Sequence, residues 1–250
     1  MNEMDKAREA LMAARNVVFF TGAGISRDSG IPTFRDKLTG LWEKYDPQRL
    51  ETAKAFREDP ALVWGWYLWR RSQARQAEPN AAHLSVCRLE NSGLHVSVIT
   101  QNIDDLHERA GSREVIHLHG SLGNPICFAC KRPADLTTEQ LTVSAEGERI
   151  EPPRCLRCNG RLRPGVVWFG EDLPDRAWKV AMNEVRHCDV LISVGTSGVV
   201  RPAADIPELA RAAGAAVIHV NIADVSLGTA NERMLLGTAT DLLPALVQGI

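Results

Sequence analysis

A short apolar run that breaks into a glycine turn constrains this chain more than any other stretch. The run Val17–Phe20 contains only β-branched and aromatic residues, and it predicts a strand buried on both faces. Thr21 and the turn Gly22–Gly24 follow, with a helix-compatible segment behind them. A strand, a glycine turn and a helix N-terminus bring backbone N–H groups to a bound phosphate, but the same turn occurs where a strand packs closely against a helix. The stretch alone leaves both interpretations open.

The spacing of the glycines argues against an ordinary hydride-transfer dehydrogenase. The usual dinucleotide fingerprint would place a third glycine at position 27, where this chain has Arg27, and the next glycine is Gly30. The stretch 30–35 is typical of a loop held by a glycine and a proline, with Phe34 and Arg35 at its tip. Because a guanidinium binds phosphate bidentately and a ring can cover a sugar, such a loop is suited to fold over a nucleotide.

Composition and charge exclude several classes of protein. The 29 basic and 31 acidic side chains leave a net charge of −2, so we expect neither a dedicated nucleic-acid binder nor a membrane-surface protein. No apolar run reaches the roughly 18 residues of a membrane-spanning helix, and the stretch 1–16 has mixed charge and no signal-peptide core. We therefore expect a cytoplasmic protein. Its 250 residues suit one large domain or two smaller ones.

Strand-like and helical runs alternate along most of the chain. Helices are predicted over 3–15, 80–91, 175–186 and 203–213, and strands over 17–20, 94–100, 115–120, 190–194 and 217–220. Three of the strands lead into polar or small residues, at 101–107, 195–198 and 221–222. Ligands bind at the carboxyl ends of strands in open α/β sheets. The pattern predicts an α/β fold with a parallel sheet and a ligand site at that edge.

Two stretches depart from this alternation. Residues 36–75 carry aromatic residues among charges and predict a helical module that forms a lid or part of a small domain. Residues 121–165 carry two CxxC pairs with 24 residues between them, Cys127 with Cys130 and Cys155 with Cys158. In a reducing compartment such pairs favour one tetrahedral metal ion over two redox pairs, and four protein ligands leave no position for substrate, so the ion is expected to be structural.

A series of short motifs runs along the chain from the glycine turn to the last predicted strand. They are GAGIS, GIPTFR, TQNID, HLHG, the two CxxC pairs, VVWFGE, GTSGVV and VN. Together they resemble the sirtuins, which are NAD-dependent protein lysine deacylases, over residues 15 to 240. The resemblance implies a Rossmann-like large domain with helices on both faces of its sheet, formed by 1–35, 76–120 and 166–250. It also implies a small domain formed by the helical module 36–75 and a zinc-binding module 121–165.

The resemblance also implies roles for individual residues. The implied catalytic residues are His119, as the general base, Asn102 and Asp104. The implied NAD-binding residues are Gly22, Ala23, Gly24, Phe34, Arg35, Gln101, Asn102, Ile103, Asp104, Gly195, Thr196, Ser197, Asn221, Ile222, Ala223 and Ala239. The implied substrate-binding residues are Tyr67, Arg70, Val166, Trp168, Phe169 and Val199. The implied ligands of a single structural Zn²⁺ are Cys127, Cys130, Cys155 and Cys158.

The implied reaction joins NAD and an acyl-lysine peptide in the cleft between the two domains. Nicotinamide leaves, the acyl oxygen takes its place on the ribose, and a base of near-neutral pKa activates a ribose hydroxyl, giving O-acyl-ADP-ribose. Histidine suits that task, but His117 lies two residues from His119 on the same side of a predicted strand. Only the following Gly120 and Ser121 and the resemblance select His119 as the base.

The acyl group is suggested by Tyr67 and Arg70, which share a face of a helix at spacing i, i+3 and can converge on one carboxylate. This pair resembles the sirtuins that remove succinyl, malonyl and glutaryl groups, although by itself Arg70 is more typical of a solvated basic face. Glu51 departs from the family pattern and is placed to repel an acidic acyl group, and Arg201 also departs from it. We expect a monomeric enzyme that removes acidic acyl groups and acetyl.

Three alternatives stay open from the sequence. They are a plain NAD-dependent deacetylase without preference for acidic acyl groups, a protein ADP-ribosyltransferase, and a non-enzymatic NAD sensor. In each of the enzymatic cases, the peptide is expected to pair as a β-strand between the edges 166–170 and 198–200, which reads backbone more than side chains.

Overall fold

The fold was obtained as a computed structural model, which describes residues 2–31, 45–143, 147–226 and 228–250. The helices are α1 (Glu3–Ala13), α2 (Pro47–Leu50), α3 (Ala53–Glu58), α4 (Pro60–Gln76), α5 (Ala81–Glu90), α6 (Leu106–Ala110), α7 (Asp175–His187), α8 (Ile206–Ala212) and α9 (Ala239–Leu246). The strands are β1 (Asn16–Thr21), β2 (His95–Thr100), β3 (Val115–His117), β4 (Gly120–Cys127), β5 (Leu162–Val166), β6 (Val190–Val194), β7 (Ala216–Asn221) and β8 (Glu232–Leu236).

The larger sheet has the strand order β3-β2-β1-β6-β7-β8 within the described residues, and all its pairs are parallel. Phe19 of β1 pairs with Val98 of β2 on one side and with Ile192 of β6 on the other. The strand order reverses between β1 and β6, and such a switch point opens a crevice at the carboxyl ends of the two strands. The predicted α/β class with a parallel, Rossmann-like sheet is confirmed.

Strand β1 is buried on both faces, as its composition predicts. Val17 and Phe19 pack into a core on one face of the sheet, while Val18 and Phe20 pack into the core on the other face. This alternation follows from the two-residue period of a strand. Helices α1, α5 and α9 cover the first face, and α7 and α8 cover the second. Because both faces are covered, the middle of the strand, Val17–Phe20, is entirely apolar.

The aromatic helices pack against a second, two-stranded sheet. Strands β4 and β5 pair antiparallel, with Gly120 opposite Val166. Trp66 and Tyr67 of α4 share a buried apolar cluster with Val166, the last residue of β5, and with Trp168, which follows it. The predicted helical stretch within 36–75 is therefore present as α2, α3 and α4 in its described part, residues 45–75.

The structure differs from the sequence prediction at three places. Behind the glycine turn lie two short 3₁₀ helices, Ala23–Ile25 and Arg27–Ser29, and the second ends at Gly30, whose φ of +84° stops a helix. The strand predicted over 115–120 ends at His117, and Gly120, at φ +73°, turns the chain into β4. Strand β8 and helix α9 lie beyond the last element predicted. Within the described ranges, no helix is both long and apolar enough to cross a bilayer.

Candidate active site

The loops that follow β1 and β6 meet in backbone contact at the switch point. The Gly22 N–H donates to the Val194 carbonyl and the Gly24 N–H to the Gly195 carbonyl, both at 3.0 Å. A Cβ atom on Gly24 would lie 2.6 Å from Gly195 Cα, so no side chain fits there. These two N–H groups are used in the contact between the loops. The structure therefore contains the close packing that the sequence left open as one interpretation of the glycines.

A buried polar network connects the first loop to the residues after β2. The Ser26 hydroxyl donates to Asp104 Oδ2 and accepts from Asn102 Nδ2, both at 3.1 Å. The backbone N–H of Asn102 donates to Thr100 Oγ1 at 3.0 Å. Burial raises the pKa of Asp104, while hydrogen bonds from Leu106 N–H and Ser26 oppose that rise. The network fixes both the amide and the carboxylate beside the switch point.

His119 presents one ring nitrogen as a base. Its Nδ1 lies 3.0 Å from the backbone carbonyl oxygen of Gln101. A carbonyl only accepts hydrogen bonds, so Nδ1 carries the proton and Nε2 carries the lone pair. Burial lowers the pKa of His119, and the bond to Gln101 opposes this shift in part. The imidazole is therefore neutral at neutral pH, as a general base must be.

His117 has different surroundings. Its Nδ1 lies 3.1 Å from the Asn102 carbonyl oxygen and its Nε2 lies 2.7 Å from Glu108 Oε1. Burial alone would lower the pKa of His117, but the Glu108 carboxylate and the Asn102 carbonyl raise it above its usual value. Both ring nitrogens are thus engaged as donors. This separates the two histidines, which sequence reasoning could not do from their spacing.

The segment 166–171, which begins at the last residue of β5, runs beside His119. The Val167 N–H donates to the His119 carbonyl at 2.8 Å, and the Phe169 N–H donates to the Glu51 carbonyl at 2.9 Å. Between them, Trp168 Nε1–H donates to the Tyr67 hydroxyl at 2.9 Å. The 166–171 segment is therefore held between the histidine loop and the aromatic helices.

A buried arginine also fixes this segment. Arg163 is 2% exposed, and its two terminal nitrogens lie 2.5 and 2.9 Å from the Glu171 carboxylate oxygens. The same guanidinium donates to the Val166 carbonyl at 2.7 Å and stacks on the Trp168 ring. It pairs bidentately with a carboxylate and covers an aromatic face at once, which an ammonium cannot do.

The predicted acyl clamp is occupied by a carboxylate of this chain. Arg70 Nη1 lies 3.1 Å from Glu51 Oε1, and the two side chains are 15% and 8% exposed. The guanidinium also lies over the Trp66 ring, 5.6 Å from its centroid. Burial raises the pKa of Glu51, while the charge of Arg70 opposes that rise. Burial also raises the pKa of Tyr67, whose hydroxyl is therefore uncharged.

The strand ends of β6 and β7 form a second polar patch. Asn221 Nδ2 donates to the Thr196 carbonyl at 2.7 Å, and the hydroxyls of Thr196 and Ser193 lie 3.0 Å apart. Ile222, next along the chain, is 64% exposed, and Val199 is 69% exposed. Exposed apolar side chains beside fixed amides suit contact with a flat, uncharged ring.

The four cysteines of the CxxC pairs converge. Their sulfur atoms all lie within 4.8 Å of one another, with Cys127 and Cys158 at 3.4 Å and Cys130 and Cys155 at 3.9 Å. A tetrahedral zinc ion with four thiolates separates its sulfurs by about 3.8 Å. Although burial opposes it, hydrogen bonds from the Cys130 N–H and from neighbouring groups lower the pKa of Cys127 to about 6. The cluster fits a structural zinc ion.

The two halves of this cluster repeat one turn geometry. The Lys131 N–H donates to the Cys127 carbonyl at 3.0 Å, and the Asn159 N–H donates to the Cys155 carbonyl at 2.9 Å. Lys131 and Asn159 both have a φ near +60°, at 61° and 59°. A Cβ atom on Gly160 would lie 3.1 Å from Cys127 Sγ, so a side chain there would crowd the sulfurs. The two turns therefore direct their cysteine sulfurs towards one centre.

A family model described as the Sir2 family matches residues 22–202. The chain belongs to the Sir2 family. This confirms the resemblance to the sirtuins predicted from the motifs. Among the relatives, a Pseudomonas putida protein named NAD-dependent protein deacylase is 66% identical over 248 residues, covering 99% of this chain and 95% of that protein. A Methylococcus capsulatus protein of the same name is 47% identical and covers 100% of this chain and 98% of its own length.

Solved Sir2 structures have the same fold as this sirtuin. A crystal structure of a Sir2 homologue with NAD is 43% identical and superposes with a TM-score of 0.87, covering 98% of this chain and 92% of that one. A Sir2 complex with a p53 peptide and NAD⁺ is 31% identical, with a TM-score of 0.83, covering 98% and 97%. Those two proteins bind NAD, and the second also binds a peptide.

Most residues singled out in the sequence gather along one edge of the sirtuin's larger sheet. Gly22, Ala23 and Gly24 abut Gly195, and Asn102 and Asp104 join them through Ser26. Thr196, Ser197, Asn221, Ile222 and Ala223 follow the neighbouring strands, and Ala239 begins α9. Ile103 packs towards the aromatic cluster, and its carbonyl accepts from the Leu122 N–H at 2.9 Å. Phe34 and Arg35 lie outside the described residues.

Sequence reasoning missed two residues that organise the site. Ser26 joins Asn102 to Asp104, and its only sequence signal is its place in the GAGIS motif. Arg163 gives no such signal, because nothing in its position shows that it is buried beside Glu171 and Trp168. The pairing of Glu51 with Arg70 was anticipated only as a repulsive effect on the substrate.

Proposed function

We propose that this sirtuin uses His119 as the base in transferring an acyl group from a lysine side chain to the ADP-ribose part of NAD. The coarse activity, NAD-dependent protein deacylation, is that of its named relatives, and the sequence prediction of it is confirmed at this level. The observation that carries the proposal is the His119 imidazole, oriented by Gln101 with Nε2 as its basic atom, beside the Ser26 network.

The roles of the neighbouring side chains follow from their chemistry. NAD supplies the ribose carbon to which the acyl oxygen is transferred and the hydroxyl from which His119 takes a proton. Asn102 offers an amide and Asp104 a carboxylate, both held rigidly, for the nicotinamide and its ribose. Their burial excludes water, which favours transfer to the acyl oxygen over hydrolysis. We assign the patch at Thr196 and Asn221 to the adenosine half.

The peptide is proposed to bind as an extended strand between the 166–171 segment and residues 198–200. Val166, Trp168, Phe169 and Val199 then form the substrate-binding edges. Support comes from the exposed side chains of Phe169 and Val199, 45% and 69% accessible, and from the backbone hydrogen bonds that hold the 166–171 segment. We further propose the division into the large and small domains described above, a monomeric state, and a cytoplasmic location in which the zinc thiolates stay reduced.

The acyl group is a finer part of the proposal. The Arg70 guanidinium and the Tyr67 hydroxyl lie beside the 166–171 segment and suit the carboxylate of a succinyl or malonyl chain. The pairing of Arg70 with Glu51 favours the second candidate, a deacetylase without acidic preference. We propose that the enzyme accepts acetyl as well as acidic acyl groups.

The test is mass spectrometry of one peptide carrying acetyl-, succinyl- or malonyl-lysine, incubated with and without NAD. Deacylated peptide, nicotinamide and O-acyl-ADP-ribose are expected in equal amounts, and only with NAD. The matched control is His119→Tyr, which should retain its zinc and its melting temperature but not its turnover. Label from NAD appearing on protein instead would indicate an ADP-ribosyltransferase, and NAD binding without nicotinamide release would indicate a sensor.

A further inference from the structure

Glu51 is a buried carboxylate at the place where an acidic acyl group would have to bind. It is 6% exposed, and its side chain lies 3.1 Å from Arg70, the cation expected to receive an acyl carboxylate. Its own backbone carbonyl accepts from the Phe169 N–H in the 166–171 segment. A carboxylate so placed is part of the acyl subsite as well as of the helical module.

The backbones of His119 and Glu51 are fixed to the same segment, two residues apart. The carbonyl groups of His119 and Glu51 accept from the N–H groups of Val167 and Phe169, respectively. Two residues of extended chain span at most about 7 Å, which is comparable to the length of a succinyl group. Under the proposed function, the acyl carbonyl lies near His119 and the terminal carboxylate is placed at Arg70, the guanidinium that Glu51 already holds.

Two carboxylates on one buried guanidinium repel each other unless one of them takes up a proton. The described charged and titratable groups that face Glu51 are Arg70 and Tyr67, both from α4, and Tyr67 is neutral. Trp66, also on α4, interacts with the same carboxyl and opposes the rise in its pKa. From the 166–171 segment, the Phe169 N–H donates to the backbone carbonyl of Glu51 and not to its carboxylate. Arg70 is therefore the one described positive charge available to balance both carboxylates.

We propose that Glu51 is the residue that sets acyl preference in this sirtuin, by holding Arg70 and so disfavouring acyl chains that end in a carboxylate. The inference rests on the proposed function and deepens it. Acetyl and other uncharged acyl groups are removed faster at neutral pH. An acidic acyl group is accepted when Glu51 binds a proton, so its removal gains on deacetylation as the pH falls. Burial of Glu51 makes that proton easier to take up.

The experiment compares kcat/KM for succinyl- and acetyl-lysine in the same peptide, from pH 6 to pH 9. The variant is Glu51→Gln, which keeps the shape and the hydrogen bond to Arg70 but removes the charge. We expect its succinyl-to-acetyl ratio at pH 7.5 to exceed that of the wild type by about tenfold or more. Its ratio should also lose most of the pH dependence. The double variant with Arg70→Met should lose the gain.

The matched control is Glu58→Gln, because Glu58 lies in the same helical module but its side chain is 65% exposed. Its ratio should equal that of the wild type. An unchanged or lower ratio in Glu51→Gln overturns the inference. Deacetylation of the acetyl-lysine peptide in the same series would show that the proposed function still stands. If neither peptide is consumed by any protein, the proposed function fails and the inference with it. If Glu51→Gln does not fold, the wild-type series decides, and a ratio that does not rise from pH 9 to pH 6 overturns the proposal.

Discussion

The guanidinium carbon of Arg163 lies 3.3 Å from the centroid of the Trp168 ring. That contact joins β5 to the segment that carries the predicted substrate edge. The same guanidinium pairs with Glu171, so both ends of the segment are tied to a single buried cation. The order of this segment therefore depends in part on a side chain outside the proposed substrate contacts.

Arg163→Met is expected to raise the KM for the acyl peptide more than the KM for NAD. Removing the cation leaves the partly exposed Glu171 without its partner, and losing hydrogen bonds to a charged group costs about 1.5 to 3 kcal/mol of unfolding free energy. Urea unfolding and steady-state kinetics measure the two effects. Arg161→Met is the control, because Arg161 immediately precedes β5 and is exposed. Equal increases in both KM values would contradict this role.

His119→Asn is expected to reduce kcat for deacetylation by roughly 100- to 10,000-fold, since the general base is lost. In the wild type, burial lowers the pKa of His119 below its usual value, so the neutral form persists to lower pH. The rate should therefore hold to pH values below the ordinary histidine pKa of about 6.5 and then fall as the imidazole is protonated. His117→Gln should leave that acidic limb in place. If the fall in rate at acidic pH disappears only in the His117 variant, His117 and not His119 is the base.

Ser26→Ala is expected to lower kcat by about tenfold or more, because the Asn102 amide and the Asp104 carboxylate each lose a buried hydrogen bond. A loss of orientation should affect kcat more than the melting temperature. Ser85→Ala is a matched control, since that serine is 3% exposed and its hydroxyl donates to the Ala81 carbonyl within its own helix. Equal loss of activity in the two variants would mean that the network does not position the site.

Zinc analysis by mass spectrometry is expected to find one ion per chain in the wild type and none in Cys130→Ser. Chelation should release the metal, lower the melting temperature and abolish turnover, because the turns at Cys127 and Cys155 lose their common centre. Cys87→Ser should retain the ion. Full deacylase activity in metal-free protein would refute the link between the cluster and the site.

Acid should destabilise the protein through two buried imidazoles, His83 and His107, whose rings lie 4.9 Å apart edge to face. Burial lowers the pKa of His83 to about 4 and that of His107 well below its usual value. Unfolded histidines bind protons near pH 6.5, so this stability is complete above that pH and is lost as the pH falls towards 4.

The loss attributable to His83 is roughly 3 kcal/mol. Urea unfolding at pH 7.5, 6, 5 and 4 measures it, and His83→Gln should flatten the curve. His187→Gln, a surface control, should follow the wild type. A wild-type unfolding free energy that is constant over this range would exclude the effect.

The sequence was sufficient for those parts of the fold that depend on local patterns. The alternation of Val17–Phe20 between two cores, the strand Val190–Val194 and the cysteine spacing all follow from local geometry. The end of β3 at His117 does not follow from local geometry, because it depends on how Gly120 enters a second sheet. Nor does β8, whose sequence ERMLL lacks clear alternation and is stabilised by pairing with β7.

The residues of the candidate site also divide into those that local motifs predict and those that depend on contacts between distant segments. Motifs identified Asn102, Asp104 and His119, but spacing could not separate His119 from His117, because the difference lies in Glu108, nine residues away from His117 along the chain. Arg163 and the pairing of Glu51 with Arg70 depend on contacts between distant segments. Such contacts become visible only once the chain is folded.

The contact between Gly24 and Gly195 has a consequence for protein engineering. The loops that follow β1 and β6 touch through bare backbone at these two glycines, so a side chain on either glycine would displace the other loop. Under the proposed function, they receive different portions of a single dinucleotide. Libraries intended to recruit altered dinucleotides should therefore leave this pair of loops fixed and randomise the rim around Ile222 instead.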